Sequence, residues 1–175
     1  VAPLDGTRNY ANGIPHFCTV VALARGDEPV LGVIYDPVRE EMFTAEEERG
    51  AFLNGEPLSV SEGRELGMAL LCCDLGYVDE KAGVALDMIR SLWPGLLSLR
   101  LMGSAALGVA YAAAGRVDLY FHHSLSPWDI AAGLLLVREA GGVVMDKQGG
   151  PASLRTPSVI AANPFLVDRF LRATD

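Results

Sequence analysis

The texture of the sequence changes once, near Glu62, and that change restricts the fold more than any other feature. Before it, short apolar runs are separated by tight-turn residues. Residues 16–24 (HFCTVVALA) are β-branched and apolar enough for a buried strand. Gly26-Asp27 supplies a hairpin turn, and residues 30–35 (VLGVIY) return as a second strand. Residues 42–45 and 50–53 predict two further strands, with Asn54-Gly55 as a strong tight-turn signal. The first 60 residues therefore read as an antiparallel meander behind a short helical segment.

After Glu62, helices alternate with strands. Residues 69–73 predict a strand, and residues 79–92 a helix with Asp79 as N-cap and Pro94-Gly95 as its stop. A short strand at 99–102 leads to a small-residue helix at 104–114 (SAALGVAYAAA), suited to close packing on a sheet and ended by Gly115. A strand at 117–121 follows, then a helix at 127–140 stopped by Gly141-Gly142, strands at 143–145 and 159–162, and a closing helix from Pro164. The alternation predicts an α/β half with helices covering a sheet. Residues 1–62 and 63–175 are thus two halves of different texture, expected to act as one unit; no repeat or low-complexity tract interrupts them.

Half of the 175 residues are hydrophobic and 21% are charged, which excludes a disordered chain. The formal net charge of −8, without a basic stripe, argues against a nucleic-acid polymer as partner. An anionic ligand would need something other than net charge to attract it, as a bound divalent cation could. No GxGxxG follows a predicted strand, which argues against a dinucleotide-dependent oxidoreductase. No run of 18 apolar residues suggests a membrane span, so a cytoplasmic protein is expected. Cys18, Cys72 and Cys73 have no zinc spacing and lie in apolar runs, as buried reduced thiols would.

Two short motifs carry chemistry. In PLDGT, Asp5-Gly6-Thr7 sits where an irregular segment should enter a helix. Gly6 lets a ligand approach the backbone, and the N–H groups of a first helical turn suit a phosphate. Asp5 supplies the hard oxygen that magnesium prefers, and Thr7 a hydroxyl able to hold a water in line for attack. In SPWDIAAG, Asp129 follows Trp128 at the start of another helix. It reads as a second metal carboxylate presented from a rigid helix end, able with the first to serve a pair of cations. The plain alternative at each site is a helix cap, with Trp128 as core filler.

Together the motifs resemble the inositol monophosphatase family. PLDGTRNYANGIP at 3–15 looks like its first aspartate motif, and WDIAAGLLLVREAGG at 128–142 like its second. GVIYDP, GAFLNG, GSAALGVAYAAAGRVD and VIAANP fall in the family's order between and after them. The resemblance implies a layered αβαβα sandwich, of the type shared with fructose-1,6-bisphosphatase, here lacking its N-terminal helices. It also implies a homodimer, and magnesium-dependent, lithium-sensitive hydrolysis of a small phosphate ester. Water would attack directly, since no residue sits in a recognisable nucleophile motif. Carried over by position, Asp5, Asp129 and the Leu4 carbonyl are metal ligands, Gly6 and Thr7 hold phosphate, and Thr7 also touches the attacking water. Ser104 and Ala105 match a segment lining the substrate's alcohol portion. Candidate substrates are inositol phosphates, fructose 1,6-bisphosphate, histidinol phosphate and the 3′-phosphate of adenosine bisphosphate.

Three departures qualify the resemblance. Ala2 stands where the family has a bridging aspartate, and a methyl group cannot bind magnesium. The family's upstream glutamate motif does not appear before Val1, so the sequence is expected to begin inside a larger unit. His122, seven positions before Asp129, replaces the glutamate that holds ring hydroxyls in inositol-hydrolysing members. The first two predict weak or no turnover for this chain, and leave open a catalytically inactive relative that serves as a binding or dimerisation module. The third bears on substrate identity and tilts away from strict inositol specificity, without choosing among the other candidates.

Overall fold

Alternating burial begins at Cys18, where Cys18 and Val20 face inward and Thr19 and Val21 face out. The computed structural model describes residues 1–76 and 79–174, the side chain of Asp79 excepted, so the cap expected of Asp79 lies outside the described residues. A six-stranded antiparallel sheet is built from β1 (Ala2–Asp5), β2 (Cys18–Arg25), β3 (Glu28–Asp36), β4 (Glu41–Glu46), β5 (Gly50–Leu53) and β6 (Glu56–Pro57), in sequence order. Both predicted hairpins close as the turn residues require: Arg25 faces Glu28 across Gly26-Asp27, and Leu53 faces Glu56 across Asn54-Gly55.

The second sheet has the order β10-β11-β9-β7-β8. Its strands are β7 (Leu70–Cys73), β8 (Ser98–Leu101), β9 (Leu119–His122), β10 (Val143–Met145) and β11 (Val159–Ala162). β7 runs parallel to β8 and β9, and the remaining pairs are antiparallel. Every residue of β9 and β11 is buried, as expected for strands covered on both faces.

The cover comes from two helix layers. α3 (Ala105–Ala113) and α4 (Pro127–Glu139) lie between the sheets, and all nine residues of α3 are buried there. One apolar cluster runs from Val20, Ile34 and Phe43 of the first sheet through these helices to Cys72 and Tyr120 of the second. A second cluster joins the far face of that sheet, at Leu71 and Phe121, to α2 (Asp79–Leu92) and α5 (Pro164–Thr174). The layers are therefore β, α, β, α. The outer face of the first sheet carries exposed Val21, Leu23, Leu31 and Met42.

The structure departs from expectation at the start of the chain. The segment before the DGT motif is not irregular: Ala2–Asp5 is the edge strand β1, paired with β2 across a bulge, and it turns directly into α1 (Thr7–Ala11). Ala2 is a buried core methyl, which makes this short strand pack. β6 and a single 3-10 turn at Leu66–Met68 also escape a reading of apolar runs, because two or three residues carry no periodicity.

Candidate functional site

Asp5 leaves the end of β1 and meets the start of α3. Its Oδ2 accepts the Ser104 hydroxyl and the Ala106 N–H, the latter at 3.1 Å. Ser104 is the N-cap of α3 and is almost fully buried. Next to Asp5, Gly6 adopts φ +81°, and a Cβ there would lie 2.8 Å from the His16 carbonyl oxygen. Only glycine fits both the backbone angle and the space. The Thr7 hydroxyl donates to the Leu4 carbonyl at 3.1 Å, closing the turn.

Asp129 arrives differently. Ser126 precedes Pro127 at the start of α4, and Asp129 Oδ2 reaches back to accept the Ser126 N–H at 3.1 Å. The capping role is therefore real, and the carboxylate also faces a cleft. Asp5, Gly6, Thr7, Asp129, Asp74 and His122 all line one cavity of about 690 Å3. Asp5 and Asp129, roughly 120 residues apart in the chain, thus share one space.

Three carboxylates, Asp5, Asp74 and Asp129, line the cavity with one cationic side chain, Arg8. Burial raises the Asp5 pKa, and the Asp129 charge raises it further, against the pull of Ser104 and of the Ala106 and Gly6 N–H groups. Burial likewise raises Asp129, opposed by the Ser126 N–H. Cys18, buried with its Sγ 4.0 Å from Asp5 Oδ2, is pushed well up by burial and by the Asp5 charge, so it stays a thiol and is no nucleophile. His122 is held down to about 4 by burial, with His123 and Lys81 adding to the effect. Its Nδ1 accepts the Ser124 N–H at 2.9 Å, which puts the ring proton on Nε2.

Not every predicted residue sits where expected. Ser104 does not line the cavity: its hydroxyl is turned inward onto Asp5, and Gly103 and Ala105 form the wall instead. Trp128 is not core filler; it is 56% exposed and stands at the cavity mouth. Three site residues carry no functional signal in the sequence. Cys18 reads as plain core, Asn9 as a surface polar residue, and Asp74 ends an apolar strand with no motif around it. Only the partners, 28 or more positions away, give Asp74 away.

The donor set bears directly on magnesium. Asp5 and Asp129 offer carboxylate oxygens and Leu4 a carbonyl, all suited to a hard cation. Ala2 offers only its methyl, and no group of three or more His, Cys, Asp or Glu among the described residues is arranged to hold a metal ion. Asp5, Asp129 and the Leu4 carbonyl are thus the residues of this cavity that could hold a cation.

Two sheets enclosing a helix pair, with carboxylates brought to one cleft from both halves of the sequence, define a layered α+β protein with an acidic cavity. The chain belongs to the inositol monophosphatase family, whose family model matches residues 1–175. It is similar to Inositol monophosphatase 3 of Solanum lycopersicum, 41% identical over 99% of this chain and 66% of that protein. It is similar also to Nus factor SuhB of Salmonella typhimurium, 42% identical over 98% of this chain and 64% of that protein. The native crystal structure of extragenic suppressor protein suhB from Bartonella henselae superposes with a TM-score of 0.94 at 40% identity, covering 99% of this chain and 67% of that one. The chain thus spans about two-thirds of the length of the curated relatives it matches. Among the described residues no helix is long and apolar enough to cross a membrane.

Proposed function

We propose that the cavity hydrolyses a small phosphomonoester with magnesium, by direct attack of water. The observation that carries this reading is the meeting of Asp5 and Asp129 in one cavity beside Gly6 and Thr7. Asp5, Asp129 and the Leu4 carbonyl would hold the cation. A bound magnesium ion would supply charge stabilisation and a more acidic water. The Gly6 and Thr7 backbone would take the phosphate, and the Thr7 hydroxyl would orient the water. α1 has only five residues, so its dipole adds little and the N–H groups themselves must do the binding.

Ala105 and His122 would face the alcohol portion of the substrate. His122 is uncharged at neutral pH and offers an N–H, which suits an alcohol oxygen better than a second phosphate. A substrate with a free hydroxyl near the ester, such as an inositol phosphate, therefore fits this reading. The halves 1–62 and 63–175 would act as one catalytic unit, in a lithium-sensitive cytoplasmic homodimer that binds neither nucleic-acid polymer nor membrane.

Ala2 favours a second reading, a catalytically inactive relative used for binding or dimerisation. One assay separates the two. Phosphate release from a panel of phosphomonoesters, with and without magnesium, is measured for this chain and for any longer product of the same reading frame, each with and without Ala2→Asp. Restoring a ligand should raise turnover by about 10–100-fold, since even outer groups around a metal carry that much. No release by any Ala2→Asp form would leave the inactive reading standing.

A further inference from the structure

Asp74 is a buried carboxylate, 9% exposed, just beyond the end of β7, and the proposed chemistry does not use it. No ion pair to it exists among the described residues, so its place in the core has to be explained by hydrogen bonds. Its Oδ1 accepts the N–H groups of Met102 at 3.1 Å and Gly103 at 2.6 Å, and its Oδ2 accepts the Tyr120 hydroxyl at 3.2 Å. Three hydrogen bonds to its two oxygens thus account for its burial without an ion pair.

The bonds to Met102 and Gly103 fix the approach to α3. Met102-Gly103 is the turn that delivers Ser104, the N-cap of α3, onto Asp5. The same turn is gripped from the other side. Asn9 Nδ2, carried on α1, donates to the Met102 carbonyl and to the His16 carbonyl, each at 2.8 Å. Gly103 adopts φ +80°, and a Cβ there would lie 3.0 Å from the Asn9 amide nitrogen, so the turn has no slack. Asp74 and Asn9 thus clamp one turn between the two segments that define the cavity.

We propose that Asp74 is a positioning residue: through the Met102-Gly103 turn it holds Ser104 and the first turn of α3 against Asp5 Oδ2, and so fixes the Asp5 carboxylate in the cavity wall. The inference deepens the cation reading above and rests on it only for its consequence, since the clamp exists in the chain by itself. It assigns Asp74 an effect on cation affinity that is transmitted through Ser104.

The test has two arms, both on the chain as it is and both with proteins shown to be folded. In the first, without metal, the amide proton of Ala106 reports its hydrogen bond to Asp5. It should move upfield in Asp74→Ala and stay near the parent position in Asp74→Asn, whose side-chain oxygen still accepts from the turn. Asp74→Thr, of similar size and with one acceptor atom, takes the place of Asp74→Ala if that variant does not fold. An Ala106 resonance unmoved in the folded variant overturns the proposal.

The second arm is a double-mutant cycle read by Mn2+ binding in calorimetry. Asp74→Ala and Ser104→Ala should each weaken binding about tenfold or more, and the double variant should be no weaker than the worse single one. Additive losses would mean that Asp74 acts independently of Ser104, and would overturn the proposal. If the parent chain and Ala2→Asp bind no Mn2+, the cation reading fails and the Ala106 arm alone decides the clamp.

Discussion

Two carboxylates line the same cavity, yet they are held by opposite kinds of structure. Asp129 is fixed locally: it belongs to α4 and reaches back three residues to the Ser126 N–H. Asp5 is fixed chiefly from a distance: besides the adjacent Gly6 N–H, its partners Ser104 and Ala106 lie about a hundred positions away and belong to a different helix. A local cap survives as long as its own helix does. A carboxylate held by a second helix reports on the whole interface between the sheets. The first motif is therefore the sensitive half of the site, and the second the robust half.

The largest test of that asymmetry is Gly6→Ala against Trp128→Ala, each beside one of the carboxylates. The new methyl would meet the His16 carbonyl at 2.8 Å with φ at +81°, so Gly6→Ala should cost roughly 3 kcal/mol. Trp128 is exposed, and its truncation should change stability by no more than about 0.5 kcal/mol. Urea unfolding of both decides it, and similar losses would break the contrast.

A smaller difference separates the two serines. Ser104→Ala removes a donor from a partly buried carboxylate and should cost about 2 kcal/mol. Ser126→Ala, at the local cap, should cost about 1 kcal/mol or less. Equal losses would mean that Asp5 gains nothing from the distant helix.

The same asymmetry explains what the sequence discloses. β2 to β5 and the α-helices beyond Glu62 are legible to within about two residues, because apolar period and turn residues are local signals. Asp129 is legible for the same reason, as a cap before an apolar helix. Asp5 and Gly6 stand out only through the DGT motif, and nothing near them in sequence foretells Ser104 as their partner. Asp74 and Asn9 are silent, because their meaning lies in contacts with Met102 and Gly103 that the fold alone creates. β1 is missed because a four-residue edge strand with a proline at its second position looks like a loop.

Acidity gives a further test. Burial, then the Asp129 charge, keep Asp5 above its ordinary 3.8 in the folded chain. The folded state therefore holds this proton to higher pH than the unfolded one. In metal-free protein, the stability from Asp5 is complete below pH 3.8 and falls as pH rises through the folded value. Urea midpoints measured upward from that pH in EDTA should decline, and Asp5→Asn should flatten the decline more than Asp129→Asn does. An Asp129→Asn effect as large as that of Asp5→Asn would show that the two carboxylates are equally committed to the interior.

The smallest expected effect is the most discriminating. Asp129→Asn keeps a side-chain oxygen able to accept the Ser126 N–H, so α4 should start as before and stability should stay within about 0.5 kcal/mol. The charge facing the cavity, however, is gone. Calorimetry with Mn2+ should then show weakened binding in a protein whose unfolding curve is nearly unchanged. Loss of both together would mean that the carboxylate is chiefly structural, and the robust half of the site would be robust only as a cap. Loss of neither would place the cation away from Asp129, leaving the shared cavity without the second charge on which the phosphatase reading depends.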